Sequence, residues 1–365
     1  MHTSGATLFD QQPLHEKKEI IVPVSKELKQ KHFDEILKVK FAQFPTNTTI
    51  IFDFSEIIWI ELDAAVWLIS LLNKLKVNGN DIKIVLPDSS NLVWDFLIAW
   101  KFFDALEKCV DSPVNLFEPY QLQFIYSKSK YQPTPIGQRK IISDIGEELA
   151  LPHKLLEINP INALNNGYSK GIIDYIKNFN EIAFATIRNI CGWEDELTKE
   201  FVTYVVYEGL ENSFLHGENT FSNVAIKTDF KNLTLVIGDN GKGIPTSLRE
   251  TFLMKGQILK KDYSDKNDAF LLTYFTQPEM VKDSLLIDQA SKKNIGSVGR
   301  QGNGLFYLKD FILRQGGKLR IRSGTAWVGF QNDKKGNEDI EPIDHLIQSP
   351  GTLLTIILPK TKLKT

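Results

Sequence analysis

The sequence predicts a two-part protein of mixed class, with an α/β sandwich followed by an α+β layer domain. Its 365 residues suffice for two or three domains. Strand and helix patterns alternate up to about residue 109, whereas after residue 171 helices come first and mostly antiparallel strands follow. The stretch between them has no long period. We therefore expect a first domain at 17–110, a connector at 111–165 and a second domain at 166–360.

Composition excludes several classes of protein. The 43 Lys and Arg residues nearly balance the 45 Asp and Glu residues, so we expect no nucleic-acid partner. The two cysteines, Cys109 and Cys191, lie far apart in no metal-binding spacing, which argues against a disulfide scaffold. Neither a secretory signal nor a membrane-spanning apolar run is found. We expect a cytoplasmic protein without membrane contact.

The first domain begins with regularly alternating elements. Strands are predicted at Glu19–Val24, Thr48–Phe54 and Asp81–Leu86, and helices at Lys26–Lys40, Ala64–Val77 and Asn91–Glu107. Asp63 is the expected N-cap of the second helix, and Gly79 ends it. The third helix is apolar on two sides, around Trp94 and Trp100, so it is either buried between the domains or in contact with a partner.

The second domain has a different order of predicted elements, with helices first and strands afterwards. Helical periodicity covers Gly171–Ile190, Asp195–Leu215 and Leu305–Leu313. Strands are expected at Asn223–Thr228, Leu233–Ile237, Lys318–Ile321, Trp327–Phe330 and Thr352–Leu358. A long polar stretch, Ser247–Arg300, separates the first two strands from the last three. Helices covering a mostly antiparallel sheet are typical of an α+β layer domain.

Three polar residues share one face of the helix that ends near Gly217. Glu208, Asn212 and His216 are spaced four residues apart, so all three side chains can reach a single ligand. A solvated helix face has the same pattern. Glu211 is a rival acid, but its position next to Asn212 turns it away from this face.

The strand at Leu233–Ile237 runs directly into a loop with an acid and alternating glycines. Asp239 stands at the strand end, and Gly241, Gly243 and Ile244 follow. Glycines let the backbone approach a flat ligand closely, while the carboxylate accepts a hydrogen bond from it. A hairpin turn is the alternative, although it would need fewer glycines.

A second glycine-rich loop opens the helix at Leu305. It contains Arg300, Gly302 and Gly304, and free N–H groups at a helix start suit a phosphate. A flexible loop without a ligand would look the same. The last predicted core strand begins with Gly351 and Thr352.

In this order, these four segments resemble the GHKL superfamily of ATPases and kinases, which includes DNA gyrase, heat-shock-ninety chaperones, histidine kinases and MutL proteins. The resemblance covers roughly Gly171–Pro359. The helix motif from Glu208 to Gly217 is especially similar to that of the anti-sigma-factor serine kinases. The resemblance implies a Bergerat-type α/β sandwich that binds ATP and Mg²⁺ under a long lid at about 246–298.

The resemblance also implies a role for each matching residue. Glu208 would be the general base, Asn212 would hold Mg²⁺, and Asp239 would accept the adenine amino group. The remaining implied ATP-binding residues are His216, Gly241, Gly243, Ile244, Gly302, Gly304, Leu305 and Thr352. Arg300 is our candidate for the γ-phosphate, with Lys242 as an alternative. The polar stretch would be either the lid or a solvated insertion.

The first domain resembles the STAS fold of anti-anti-sigma factors and anion-transporter tails. The resemblance covers about Glu19–Cys109 and depends on the element order and on the segment Glu61–Val66. In that family the acid is commonly followed by a serine that a GHKL kinase phosphorylates. Here Ala64 stands at that position. The domain is therefore expected to act as a docking or dimerisation module and not as the phosphate acceptor at that site.

Two functions follow as expectations. The first is a signalling kinase that transfers phosphate from Mg-ATP to a serine or threonine of a separate STAS-type or sigma-regulator-like protein. The second is a nucleotide-gated interaction module or slow ATPase, whose STAS-like domain docks partners without phosphate transfer. A degenerate domain that binds nothing is a third reading, against which stand the intact Glu208, Asn212, Asp239 and glycines.

Overall fold

The computed structural model describes residues 18–41, 43–87, 93, 122–126, 183–185, 187–188, 191–216, 222–229, 231–259, 262–280 and 304–360. The predicted helix around Trp94 and Trp100, most of the predicted connector, Arg300 and Gly302 lie outside these residues. Within them the protein is a mixed α/β structure with a parallel sheet and an antiparallel sheet.

The N-terminal part is built on four parallel strands in the order β1-β3-β5-β6. A short parallel pair, β2 and β4, lies beside them. Leu122–Tyr126, inside the predicted connector, supplies the fourth strand of the main sheet. The elements are β1 Glu19–Pro23, β2 Glu27–Leu28, α1 Gln30–Lys40, β3 Thr49–Asp53, β4 Trp59–Ile60, α2 Leu62–Val77, β5 Asp81–Leu86 and β6 Leu122–Tyr126.

The C-terminal part is an antiparallel sheet of six strands in the order β11-β10-β9-β12-β8-β7. Helices cover one of its faces. The elements are α3 Asp195–Phe201, a π-helical turn at Val202–Tyr207, α4 Glu208–His216, β7 Ser222–Thr228, β8 Asn232–Asp239, α5 Ile244–Leu259, α6 Asp268–Phe275, α7 Gly304–Arg314, β9 Lys318–Ser323, β10 Ala326–Asn332, β11 Glu338–Ile343 and β12 Thr352–Pro359.

Helix α2 lies between the two sheets. Fourteen of its 16 residues are buried, and it contacts β5 on one side and β7, β8 and β12 on the other. A helix that is apolar on nearly all sides must be buried on two opposite sides, as α2 is here. As a result, Val236, Ile347 and Leu353 of the C-terminal part belong to the same hydrophobic cluster as the N-terminal core.

Strand alternation divides the antiparallel sheet into two buried faces. On β8, Leu233, Leu235 and Ile237 join the core under the helices, whereas Val236 joins the core around α2. Successive side chains of a strand point to opposite faces. Asp239 therefore faces the helices, and its neighbour Asn240 faces α2.

Two local predictions differ from the structure. Asp63 is not the N-cap of α2 but lies in its first turn, and Glu61 takes the cap position. Ser247–Arg300 was expected to be a long polar stretch, and its first half contains most of α5 and the whole of α6. The apolar residues Leu248, Phe252, Leu271 and Tyr274 explain this, because they pack into a small core of their own. Among the described residues, no helix is both long and apolar enough to cross a membrane.

Candidate functional site

The predicted helix motif follows an irregular turn. α3 runs into the π-helical segment Val202–Tyr207, and α4 begins at Glu208. The aliphatic side chains Val202, Val205 and Val206 anchor this segment in the core. A π-helical turn inside an α-helix changes the direction in which the following side chains point and is frequent at functional sites.

Glu208, Asn212 and Gly304 come together at the start of α7. A Cβ atom added to Gly304 would overlap Oε2 of Glu208 and would lie 3.5 Å from Nδ2 of Asn212. This Nδ2 is buried and has no hydrogen-bond partner among the described residues. A buried polar atom without a partner is costly, and because Nδ2 is a donor it calls for an acceptor such as a phosphate oxygen or a water. An acid and the unpartnered Nδ2 of an amide thus lie beside the first residue of α7.

Asp239 is held at the end of β8 by two backbone donors. The N–H of Gly241 donates to its Oδ1 at 2.9 Å, and the N–H of Thr352 donates to the same atom at 3.0 Å. No described residue donates to Oδ2. The carboxylate is therefore fixed in orientation while one oxygen keeps its capacity to accept from a ligand.

Burial has a strong effect on this carboxylate. It raises the pKa of Asp239 from an ordinary 3.8 to about 6, against the opposing effect of the hydrogen bonds from Thr352 and Gly241. Aspartate is therefore mostly ionised at neutral pH, although only 7% of the residue is exposed. A buried acid with a raised pKa is a functional-site candidate when other groups converge on it.

Close backbone packing forms the wall around Asp239. A Cβ at Gly351 would overlap both the backbone carbonyl and the carboxylate of Asp239. Gly243 has a φ of +83°, and a Cβ there would stand 2.8 Å from Oγ of Ser323. Glycine is required at both positions. At Gly351 the reason is lack of space, and at Gly243 it is both lack of space and the positive φ.

Ser323, which the sequence analysis did not select, links two of the predicted site segments, the loop after β8 and the start of β12. Its Oγ accepts from the N–H of Ile244 at 3.0 Å and lies 3.0 Å from Oγ1 of Thr352. Ser323 is the last residue of β9, two positions after the core residue Ile321, so it points to the same face as Asp239. A serine at a strand end before a glycine was the available signal, but it is common in turns.

The loop after Ser323 is tied to α6. Asp268 accepts from the N–H of Thr325 at 2.6 Å and from its hydroxyl at 3.0 Å, and its other oxygen pairs with Arg249 of α5 at 2.5 Å. The first half of the predicted lid is thus attached to the turn between β9 and β10. α5 and α6 are thereby joined to the end of β9, which carries Ser323.

The other predicted site residues are placed as follows. Leu305 is buried in the core below α7, and Ile244 begins α5. His216 is the last residue of α4, but its side chain lies outside the description, as do Arg300 and Gly302. Lys242, the alternative to Arg300, pairs with Glu250 at 2.6 Å.

The chain matches no family model, and no curated protein matches it significantly.

Proposed function

We propose that the protein binds Mg-ATP in a GHKL-type site and transfers the γ-phosphate to a serine or threonine of a separate protein. The observation that carries the proposal is the convergence of Glu208, Asn212 and Gly304, with the buried Nδ2 of Asn212 lacking a hydrogen-bond partner among the described residues. The buried Asp239 carboxylate, whose Oδ2 accepts from none of the described residues, is the second support.

The residues present suit both parts of the ligand. Asp239 would accept the adenine amino group at Oδ2, because both of its backbone donors bind Oδ1. Asn212 would offer its amide oxygen to Mg²⁺, and the first N–H groups of α7 suit phosphate oxygens. When bound, Mg²⁺ neutralises charge on the phosphates.

Glu208 is the residue expected to remove the proton from the substrate hydroxyl group. Its carboxylate lies beside the first residue of α7, so it can accept a proton from a hydroxyl group aligned with the γ-phosphorus. The hydroxyl oxygen then forms the new bond to phosphorus while ADP leaves with the electron pair. The remaining work is positioning, which the fixed backbone around Asp239 supplies.

The N-terminal part is an unsuitable acceptor at the position where the STAS family carries its serine. Ala64 has no hydroxyl group and is fully buried. Its neighbour Asp63 faces Arg320 of β9 at 3.7 Å and Thr355 of β12 at 3.4 Å. The surface around Ala64 is therefore occupied by the protein's own C-terminal sheet, which favours a substrate on a separate molecule over one at this position.

A nucleotide-gated module is the second candidate function, and a particular contact favours it. Nδ2 of Asn240, next to Asp239, donates to Oδ1 of Asn73 on α2 at 3.1 Å. A ligand that moves the loop after β8 would therefore also act on α2. In this version ATP hydrolysis is slow and phosphate transfer to protein is absent.

The first test measures binding and chemistry separately. We expect calorimetric titration to give Mg-ATP binding for the wild type, binding about 10–100-fold weaker for Asp239→Asn, and near-normal binding for Glu208→Gln. With γ-labelled ATP and STAS-domain proteins from the same operon, the wild type should label a serine or threonine. Glu208→Gln should do so at least about 100-fold more slowly.

The controls separate the two functions. Glu211→Gln changes the rival acid on the same helix and should leave both quantities unaltered. Labelled inorganic phosphate without labelled protein would support the gated module over the kinase. An absence of heat on titration of the wild type with Mg-ATP would refute both.

A further inference from the structure

A buried ion pair joins the N-terminal helix α1 to the sheet that carries the candidate site. Nε and Nη2 of Arg322 each lie 2.9 Å from the carboxylate oxygens of Asp34. Arg322 is 1% exposed and Asp34 is 0% exposed. Removing either partner alone leaves a buried charge, which is strongly destabilising.

The guanidinium group of Arg322 uses all its donors. Besides the two bonds to Asp34, Nη1 donates to the carbonyls of Gly324 at 2.6 Å and Ala326 at 3.3 Å, and Nη2 donates to the carbonyl of Ile347. These five bonds match the five N–H groups of arginine. The turn between β9 and β10 and the loop between β11 and β12 are thereby both bound to the Arg322 side chain. Asp34 orients this side chain.

The loop after β11 meets Asp239 directly, and the turn after β9 reaches it through Ser323. The turn after Arg322 contains Ser323, whose hydroxyl contacts Ile244 and Thr352. The second loop leads to Gly351 and Thr352, and it is further held by the bond from the N–H of Ser349 to the carbonyl of Gly324 at 2.7 Å. The Thr352 N–H is one of the two donors to Asp239.

We infer that Asp34 and Arg322 are positioning residues of the proposed ATP site, which makes the N-terminal part a structural component of that site. The inference rests on the proposed function. Asp34 acts through Arg322 on the two loops, and the loops hold Asp239 in the orientation that accepts the adenine amino group.

Two variants separate this role from mere stability. Arg322→Lys keeps a positive charge for Asp34, but a single ammonium group cannot reproduce the planar set of five donors. Asp34→Leu combined with Arg322→Met replaces the pair by apolar side chains, a change that often preserves stability. If Arg322→Lys does not fold, the proposal can therefore still be tested on the double variant with the apolar pair. Lys31→Gln is the matched control, because Lys31 also lies on α1 and pairs with Glu341 of β11 at 3.7 Å, but at the exposed surface.

The experiment measures Mg-ATP affinity by calorimetry and amide hydrogen exchange at Gly241 and Thr352 without nucleotide. Thermal unfolding identifies the folded variants. We expect folded Arg322→Lys and the apolar pair to bind ATP at least tenfold more weakly than the wild type and to exchange these two amides faster. Lys31→Gln should behave as the wild type.

The outcomes distinguish the two proposals. Wild-type affinity and exchange in folded variants of the pair would overturn the positioning role while leaving ATP binding intact. A second outcome is that the wild type does not bind ATP while the folded variants exchange the amides of Gly241 and Thr352 faster than the wild type. The missing ATP binding would refute the proposed function. The faster exchange would show that the pair orders the site without serving ATP.

Discussion

At the scale of single residues, Asp239 combines burial with a fixed orientation. Its two backbone donors lower the pKa, yet desolvation dominates and raises it to about 6. The carboxylate is therefore ionised at neutral pH at a cost to the free energy of folding. Such a cost is typical of a group kept for its interaction with a ligand rather than for stability.

This cost predicts the pH dependence of stability. An acid whose pKa is higher in the folded state stabilises the protein at low pH, and that contribution is lost as pH rises from about 4 to 6. A difference of about two pKa units corresponds to about 3 kcal/mol. Relative to Asp239→Asn, nucleotide-free wild type should lose up to about this free energy of unfolding between pH 4 and pH 7, measured by urea denaturation. Parallel stability curves for the two proteins would contradict the assignment.

At the scale of elements, two helix termini meet. α4 brings Glu208 and Asn212 to the first residue of α7, where a Cβ atom at Gly304 would overlap the Glu208 carboxylate as it is placed here. This meeting depends on the packing of α4 against α7 and on the π-helical turn before Glu208. Neither feature is encoded in the spacing of the motif itself.

Gly304→Ala tests this meeting independently of any ligand. The added methyl group overlaps the Glu208 carboxylate, so we expect a melting temperature several degrees lower than that of the wild type. Glu208→Ala should relieve the overlap, and the double variant should recover much of the loss. Thermal unfolding of the four proteins gives the coupling. Strictly additive effects of the two substitutions would mean that the side chains do not meet.

At the scale of the whole molecule, the two parts share one core around α2. Trp67 illustrates this: it is 1% exposed, packs edge-on against Phe33 of α1 at 5.7 Å between ring centroids, and donates from Nε1 to Oγ of Ser349 at 3.3 Å. A Cβ added to Gly238 of β8 would stand 2.7 Å from Cγ1 of Val66. The helix and the antiparallel sheet are therefore packed without spare room.

A shared core predicts a shared loss of stability. Trp67→Ala should cost about 3–5 kcal/mol and should reduce amide protection in both β3 and β12. Trp59→Ala is the matched control, because this tryptophan also contacts the C-terminal part, through Lys227 at 5.1 Å, but is 37% exposed. We expect it to cost no more than about 1 kcal/mol. Unchanged protection in β12 of Trp67→Ala would show that the two parts unfold separately.

Local order along the chain was largely predictable from sequence. Most predicted strands and helices are present with shifts of a few residues at their ends, since periodicity reflects which face of each element is buried. Of the site, spacing alone placed Glu208 and Asn212 on one helix face and Asp239 at a strand end. The exposed strand β11, with Glu338, Glu341 and little apolar content, lacked that signal and was missed.

What only the tertiary structure decided is how these parts meet. Ser323, Asn73 and the pair Asp34 and Arg322 are distant from the motifs in sequence, and each acquires its role through a contact across strands or across the two sheets. Sequence patterns record the environment of each residue along its own element. They do not record its partner on another element, because many different neighbouring residues can bury the same side chain. For this reason the sequence determined the elements and the candidate residues, whereas packing placed the N-terminal part against the site.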